Sequence, residues 1–398
     1  MINTDIFISG GGVAGLTTAA AFGAAGFSVV IADPMQPITD NTTNGADLRT
    51  TAFLQPAREF LIAAGLWDRL APFATPLQIM RIVDAGGADP TPRVTRDFDA
   101  ANISELPFGW NLSNWLLRRE IVARLADLPN IDFRPGVGFA TLLTRTNEAR
   151  VTLTDGTRIT AKLVIAADGR NSPVRQAAGI TAKTTRYGQK AVTFAVTHDA
   201  PHNNVSTEIH RSGGPFTLVP LPDHDGRPCS AVVWMDDGPE ANRLAALPEP
   251  DFNAQATLRS GGTYGPLTLA SRRMVWPIIS QIAARMAGER VALVAESAHV
   301  VPPIGAQGLN MSLSDVACLL DLAQANRDTL GSADMLAKYH RARHPDIRLR
   351  VAGVGLLNRA SQAENPLLRD IRAKGIETFY GIAPLRKTLM KLGLGARG

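Results

Sequence analysis

Residues 5–33 constrain this chain more than any other stretch. Asp5-Ile6-Phe7-Ile8-Ser9 has the composition of a short buried strand, and Gly10-Gly11-Gly12-Val13-Ala14-Gly15 that of a tight turn. Residues 16–25 read as an Ala-rich helix ended by Gly26, and Ser28-Val29-Val30-Ile31-Ala32 as a second strand closing on Asp33. Together they form a βαβ unit with G-x-G-x-x-G at its first turn. Gly10 permits the turn, Gly12 lets a pyrophosphate approach the backbone, and Gly15 lets the helix pack closely on the strand. Val13 and Ala14 complete the turn at a helix N-terminus, whose free N–H groups and positive dipole end favour phosphates. Asp33 stands where a carboxylate accepts hydrogen bonds from adenosine ribose hydroxyls. A purely structural glycine-rich turn would leave Asp33 unexplained.

The run from Ile6 to Ala32 carries no charged residue and is long enough to cross a bilayer. It contains Gly10, Gly11, Gly12, Gly15, Gly23 and Gly26, and its flanks, Asp5 and Asp33, are acidic rather than basic. A buried strand-turn-helix-strand unit accounts for it better than a membrane span. At 398 residues the chain exceeds the size at which one hydrophobic core stops growing, so two closely packed domains are expected. With 45% apolar and 19% charged residues, the composition is globular rather than disordered. Cys229 and Cys318 cannot build a disulfide framework, and no Cys/His cluster offers a metal site, so a reducing cytoplasmic setting is expected. The first residues lack the basic region of a signal peptide. Charge is unevenly placed: residues 346–398 hold ten Lys or Arg against four Asp or Glu, a net +6, beside +5 for the whole chain. That balance is compatible with acidic lipid, a protein or water alone as its counterpart, and no nucleic acid is expected.

Two further nucleotide signals arrive late. Lys162-Leu163-Val164-Ile165-Ala166-Ala167-Asp168-Gly169 is a buried strand running into an Asp-Gly turn, followed by a helix start through Arg175. Arg290-Val291-Ala292-Leu293-Val294-Ala295-Glu296 is another strand ending on an acid. Val300 to Asn310, with Pro303, Gly305, Gln307, Gly308 and Leu309, then leads into a helical stretch at 311–323. A nicotinamide dehydrogenase would complete its site with alternating strands and helices soon after Asp33. Here a loop, Asp47-Leu48-Arg49 and a Pro/Gly-rich region at 86–92 intervene.

With these motifs the chain resembles the flavin monooxygenases of the aromatic-hydroxylase group, and most closely the UbiH/VisC-type ubiquinone-biosynthesis hydroxylases. The resemblance runs over nearly the whole chain: the dinucleotide turn, Asp47-x-Arg49, Asp168-Gly169, the third motif through Asp315, the stretch Pro201-His202 to Trp234, Tyr339-His340-Arg341-Ala342-Arg343 and Leu368-Arg369. It implies an α/β fold with a discontinuous Rossmann-like FAD-binding domain (1–75, 103–180 and 285–345). A mainly β-sheet substrate domain (76–102 and 181–284) and a basic C-terminal helical segment (346–398) complete it. Glu296 takes the place of an aspartate that binds ribityl hydroxyls, and Gln307, Gly308, Leu309 and Asn310 form a helix N-terminus beside the isoalloxazine ring. Arg49 and Arg118 serve as phosphate or ribityl contacts, and Pro303 and Gly305 flank the flavin's reactive face. His299 reads equally as a structural hydrogen-bonder and as a catalytic group.

The implied reaction hydroxylates the ring of a polyprenylated phenol in ubiquinone biosynthesis, through reduced flavin and a C4a-hydroperoxide. FAD is the cofactor, O2 the co-substrate, and NAD(P)H or a partner reductase the electron donor. Strand-like alternation between Tyr187 and Trp276 makes Phe194, Phe216, Trp234 and Trp276 candidate pocket walls, although each reads more readily as core. A hydrophobic quinone precursor lives in a membrane, so peripheral contact with its inner face, through segments such as 385–392, and a multiprotein assembly are further expectations. Ala295-Glu296 for Gly-Asp, Ala306 for Gly and Ser312 for Gly depart from the family pattern and put the flavin contacts in question. Other flavin chemistry on the same fold, or a non-catalytic flavoprotein scaffold, are the competing readings. Halogenation is disfavoured because no two tryptophans fall two residues apart.

Overall fold

The computed structural model describes residues 1–85, 93–211 and 213–362. The Pro/Gly-rich stretch 86–92, Leu368-Arg369 and the basic segment 385–392 lie outside the described residues.

The consecutively buried Ile6-Phe7-Ile8-Ser9 put strand Ile2–Ser9 at the centre of an eight-stranded sheet, where it pairs in parallel with Val29–Asp33 and Arg158–Ala166. Arg158–Ala166 pairs in parallel with Val291–Leu293, and Val29–Asp33 with Ile131–Pro135. The middle strands are buried on both faces, as their unbroken Val/Ile runs require. Helix Val13–Ala24 covers this sheet together with helices Asn114–Ala126 and Gln307–Ala325. Its alanines let it approach closely: residues 15–23 are all buried.

A second, nine-stranded sheet is built around the long strand Ala182–Thr197, flanked by Arg227–Asp237 and Met274–Ala283. Strands Ile79–Asp84 and Val94–Asp99 join its far edge through parallel pairing with Val205–Arg211. Period-two alternation gives this sheet two unlike faces. Val192, Phe194, Val196, Phe216, Leu218, Val232 and Trp234 point to one side and pack with Leu244, Phe252 and Ala256 of helices Gly238–Ala246 and Glu249–Arg259. The opposite side carries Ala191, Val233, Met235 and Ile278, which pack against Val301 and Ile304. A small third sheet, Thr50–Leu54, Gly109–Ser113 and Thr75–Leu77, contacts strand Gly214–His224 of the second sheet.

The architecture is the expected α/β fold with a second, mainly β part. One expectation needs correcting: the boundary at 345/346 falls inside a single helix, Ala333–Ser361, with Pro345 in its interior. That helix spans both sheets. Met335, Leu336 and Tyr339 enter the core of the first sheet, whereas Val354 packs with Ile278 and Ile304 and Asn358 donates to the Gln189 side chain at 3.0 Å on the second.

Candidate active site

Parallel pairing aligns the carboxyl ends of four strands along one edge, in the spatial order Glu296, Asp168, the glycine turn, Asp33. At about 4.8 Å per strand, the edge from the Glu296 strand to the Asp33 strand spans roughly 14 Å. The carboxyl edge is where open α/β sheets hold their ligands.

The glycines act as their chemistry requires. Gly10 has φ +111° and a Cβ there would strike the Ala167 carbonyl; a Cβ on Gly15 would collide with the Gly10 carbonyl. Gly12, Gly169 and Gly308 are different: nothing lies within 4 Å of where their Cβ would be. Asp33 accepts from the Gly11 N–H at 2.5 Å and the Met35 N–H at 2.8 Å, which fixes its carboxylate at the turn. Asp168 accepts from the Ser9 hydroxyl at 3.3 Å and the Val174 N–H at 3.2 Å. Its Oδ1 is buried without a partner, and burial raises its pKa above the ordinary carboxylate value. Glu296 is half-exposed, 4.0 Å from the Arg170 guanidinium.

Arg49 grips Asp47 through two bonds, Nε to Oδ1 at 2.8 Å and Nη2 to Oδ2 at 2.7 Å, and its guanidinium lies 4.2 Å from the centre of the Trp276 ring. Burial opposes the charges of both partners. Their mutual bonds outweigh it, so the Arg49 pKa is raised and that of Asp47 lowered. Asn114 donates to Asp47 at 3.0 Å and accepts from the Thr51 hydroxyl at 2.8 Å. Arg118, on the same helix as Asn114, lies close enough to Asp47 to lower its pKa further, and its Nε is buried without a partner. Asn114 was missed by sequence reasoning, because only the folded chain brings residue 114 to residue 47. Trp276 indole N–H donates to the Thr193 hydroxyl at 3.2 Å.

Helix Gln307–Ala325 begins without a side-chain cap, leaving its first N–H groups free of one. Gln307 donates to the Gly305 carbonyl at 3.0 Å and accepts from Arg350 at 3.0 Å. Asn310 accepts from the Leu54 N–H at 2.9 Å and donates to the Ala52 and Ala306 carbonyls, so its side chain anchors the helix to strand Thr50–Leu54. Leu309 packs on the core, and Pro303, Gly305 and Gly308 are exposed. Both Gly-to-Ala departures fall in left-handed backbone, Ala295 at φ +57° and Ala306 at φ +54°. The Ser312 hydroxyl turns back to the Gly308 carbonyl at 2.9 Å. His299 is not at the open edge: it is buried and bonds Asp315 at 2.6 Å, which Arg343 holds from the other side at 2.8 Å.

Of the four aromatic candidates, Phe194, Phe216 and Trp234 are core residues facing the helices on the far side of their sheet. Trp276 alone pairs in register with Ala191, on the face that packs against Val301 and Ile304. The donors, acceptors and room at this edge fit a dinucleotide. Arg118 Nε and Asp168 Oδ1 are a buried donor and acceptor awaiting partners, and three motif glycines border open space.

The family described as "FAD binding domain" matches residues 3–352. This chain belongs to that family. The FAD-binding protein is 32% identical over 394 residues to the ubiquinone hydroxylase UbiL of Rhodospirillum rubrum, covering 98% of this chain and 89% of that one. It is 25% identical over 397 residues to the 3-demethoxyubiquinol 3-hydroxylase of Escherichia coli, covering 98% of each. Its fold matches the crystal structure of p-nitrophenol 4-monooxygenase PnpA from Pseudomonas putida DLL-E4 over 100% of both chains, with a TM-score of 0.81 at 19% identity. FAD is the cofactor, and the protein is an FAD-dependent monooxygenase.

Proposed function

We propose that this flavoprotein hydroxylates the aromatic ring of a hydrophobic, polyprenylated phenol on the way to ubiquinone. The observation that carries the reading is the free N-terminus of helix Gln307–Ala325 set at the carboxyl edge, beside the apolar face of Ala191, Val233, Met235 and Ile278. Bound FAD supplies the redox chemistry that activates O2, with NAD(P)H or a partner reductase as the electron source.

The chain's own residues do the rest. The turn from Gly10 to Gly15 and Arg118 hold the pyrophosphate, Asp33 the adenosine ribose, and Asp168-Gly169 and Glu296 the ribityl side. N–H groups and the dipole of residues 307–310 favour the negative charge of the reduced ring. Pro303 and Gly305, exposed in the loop before the helix, border the reacting side. The apolar face and Trp276 exclude water from a site that needs no acid–base pair of its own. Peripheral contact with the inner face of a membrane, in the cytoplasm and within a multiprotein assembly, suits such a substrate. No described helix is long and apolar enough to cross a membrane.

The purified protein is expected to be yellow, with a flavin absorbance spectrum, and to consume O2 with NAD(P)H and a short-chain prenylated phenol. The product should be one oxygen atom heavier by mass spectrometry. Colourless protein that takes up no FAD, or O2 uptake yielding only peroxide across a panel of prenylated phenols, would overturn the reading in favour of a scaffold or another flavin reaction.

A further inference from the structure

Among the described residues, nothing packs on the outer face of helix Ala333–Ser361. Leu349, Leu356 and Leu357 are 75%, 68% and 59% exposed, far more than an apolar core helix allows. At 100° per residue, Pro345, Leu349, Ala352, Gly353 and Leu356 form one apolar stripe. Arg341, Arg348 and Arg359 line one edge of it, all exposed. Asp346, at the opposite edge, is committed to Arg343 and Arg350 at 2.9 Å each.

Arg348 also lines a cavity of about 270 Å³ where the helix meets the ends of strands Ala182–Thr197 and Met274–Ala283. Lys183, His344 and Arg348 line it together with the apolar Ala182, Ile282 and Ala283. Burial first, then His344, Arg285 and Arg341, lower the pKa of His340, whose ring lies tilted 4.7 Å from that of His344. Among the described residues, none of Lys183, Arg285, Arg341, Arg348 and Arg359 has a carboxylate at ion-pair distance.

We propose that this face docks on a bilayer of acidic phospholipid, the leucine stripe entering the interface and the Lys183–His344–Arg348 cavity receiving a lipid headgroup phosphate. An apolar stripe bordered by cations is the pattern of an interfacial helix, and anionic headgroups supply the charge that the cavity lacks. A second copy of the chain fits less well, because pairing the stripe on itself brings unpaired arginines into one interface. Placement gives the surface a purpose. Val354, on the inner side of the same helix, packs with Ile304 between Pro303 and Gly305, so the bilayer would lie about one helix diameter, roughly 10 Å, from the loop at the reacting side. That purpose rests on the proposed lipid-soluble substrate; the binding itself does not.

The test is co-sedimentation of the full-length, FAD-loaded protein with phosphatidylcholine vesicles, with and without roughly 30 mol% phosphatidylglycerol. Partitioning at least tenfold stronger onto the acidic vesicles is expected. Leu349→Asp/Leu356→Asp should reduce it by about tenfold or more, and Lys183→Glu/Arg348→Glu by a similar factor, with flavin content and melting temperature unchanged. Free glycerol phosphate at millimolar concentration should compete only weakly. Equal binding to both vesicles, or variants that bind like the parent, would overturn the proposal. So would cavity occupation by free phosphate with no vesicle binding, or a concentration-dependent dimer that the leucine variants dissociate while vesicle binding is absent. Because no turnover is measured, failure here is separate from failure of the hydroxylation assay.

Discussion

Four single residues carry effects that can be isolated. Ala295 and Ala306 hold left-handed backbone where the family pattern has glycine, and an L side chain there costs about 1–2 kcal/mol. Glycine's greater freedom in the unfolded chain returns part of that. Ala295→Gly and Ala306→Gly should each raise stability by about 0.5–1 kcal/mol, read as a higher urea midpoint at unchanged slope; a lower midpoint would show that the methyl groups are packing elements. Arg118 has a buried donor with no partner among the described residues. If that donor meets a phosphate, Arg118→Met should weaken FAD binding by roughly 10- to 100-fold, the worth of a charge-assisted bond, in a flavin-fluorescence titration of the apoprotein. Asp168 is held by burial above its ordinary pKa of 3.8, so the native state keeps its proton to higher pH than the unfolded chain. Native protonation exceeds unfolded protonation between those two values, so this group's contribution to stability falls as pH rises through that window. Asp168→Asn should flatten that part of the apoprotein's stability–pH curve, measured by urea unfolding.

At the scale of elements, the first turn separates folding from binding. Gly15 faces the Gly10 carbonyl with no room for a methyl group, whereas Gly12 has φ −69° and open space beside it. Gly15→Ala should therefore push helix Val13–Ala24 off its strand and lower the melting temperature of the apoprotein. Gly12→Ala should leave that temperature unchanged and abolish FAD retention, since only a bound pyrophosphate would meet the new methyl group. The same contrast explains what was legible in the sequence. Strand, turn and helix of the βαβ unit are local, and each residue type matches the backbone it adopts, so residues 5–33 could be read directly. The Asp47–Arg49 pair was visible as a spacing, but its bracing by Asn114 and its stacking on Trp276 depend on contacts across 67 and 227 positions of chain. Aromatic residues in a period-two strand reveal alternation but not which face looks at the site, which is why Phe194, Phe216 and Trp234 read as equal to Trp276 until the sheet showed them facing helices.

Across the whole molecule, the two sheets are held in relation by elements that no local pattern announces. Helix Ala333–Ser361 crosses from one to the other, and the boundary expected at 345/346, for the start of the basic C-terminal segment, falls inside it. A proline inside a helix removes one bond and does not by itself end the helix when packing on both sides holds it. That packing centres on a buried polar cluster. Asp315, on helix Gln307–Ala325, takes His299 at 2.6 Å from the segment after the Glu296 turn and Arg343 at 2.8 Å from the crossing helix. All three are nearly inaccessible to solvent, and Tyr339 beside them donates to the Leu293 carbonyl at 2.8 Å. Removing one member of a buried pair leaves the other charged and uncompensated, which costs about 3–5 kcal/mol. Arg343→Met keeps the volume and deletes the cation, so it should lower global stability by about that amount. FAD retention should fall with it, because Asp315 also lies 3.4 Å from the Ala295 N–H, next to Glu296. Asp315→Asn/Arg343→Met removes both charges together and should recover much of the loss. Urea unfolding of the two variants, followed by both tryptophan fluorescence and flavin release, distinguishes this coupled role from simple packing: additive losses in the double variant would mean that the ion pair does not tie the helices together.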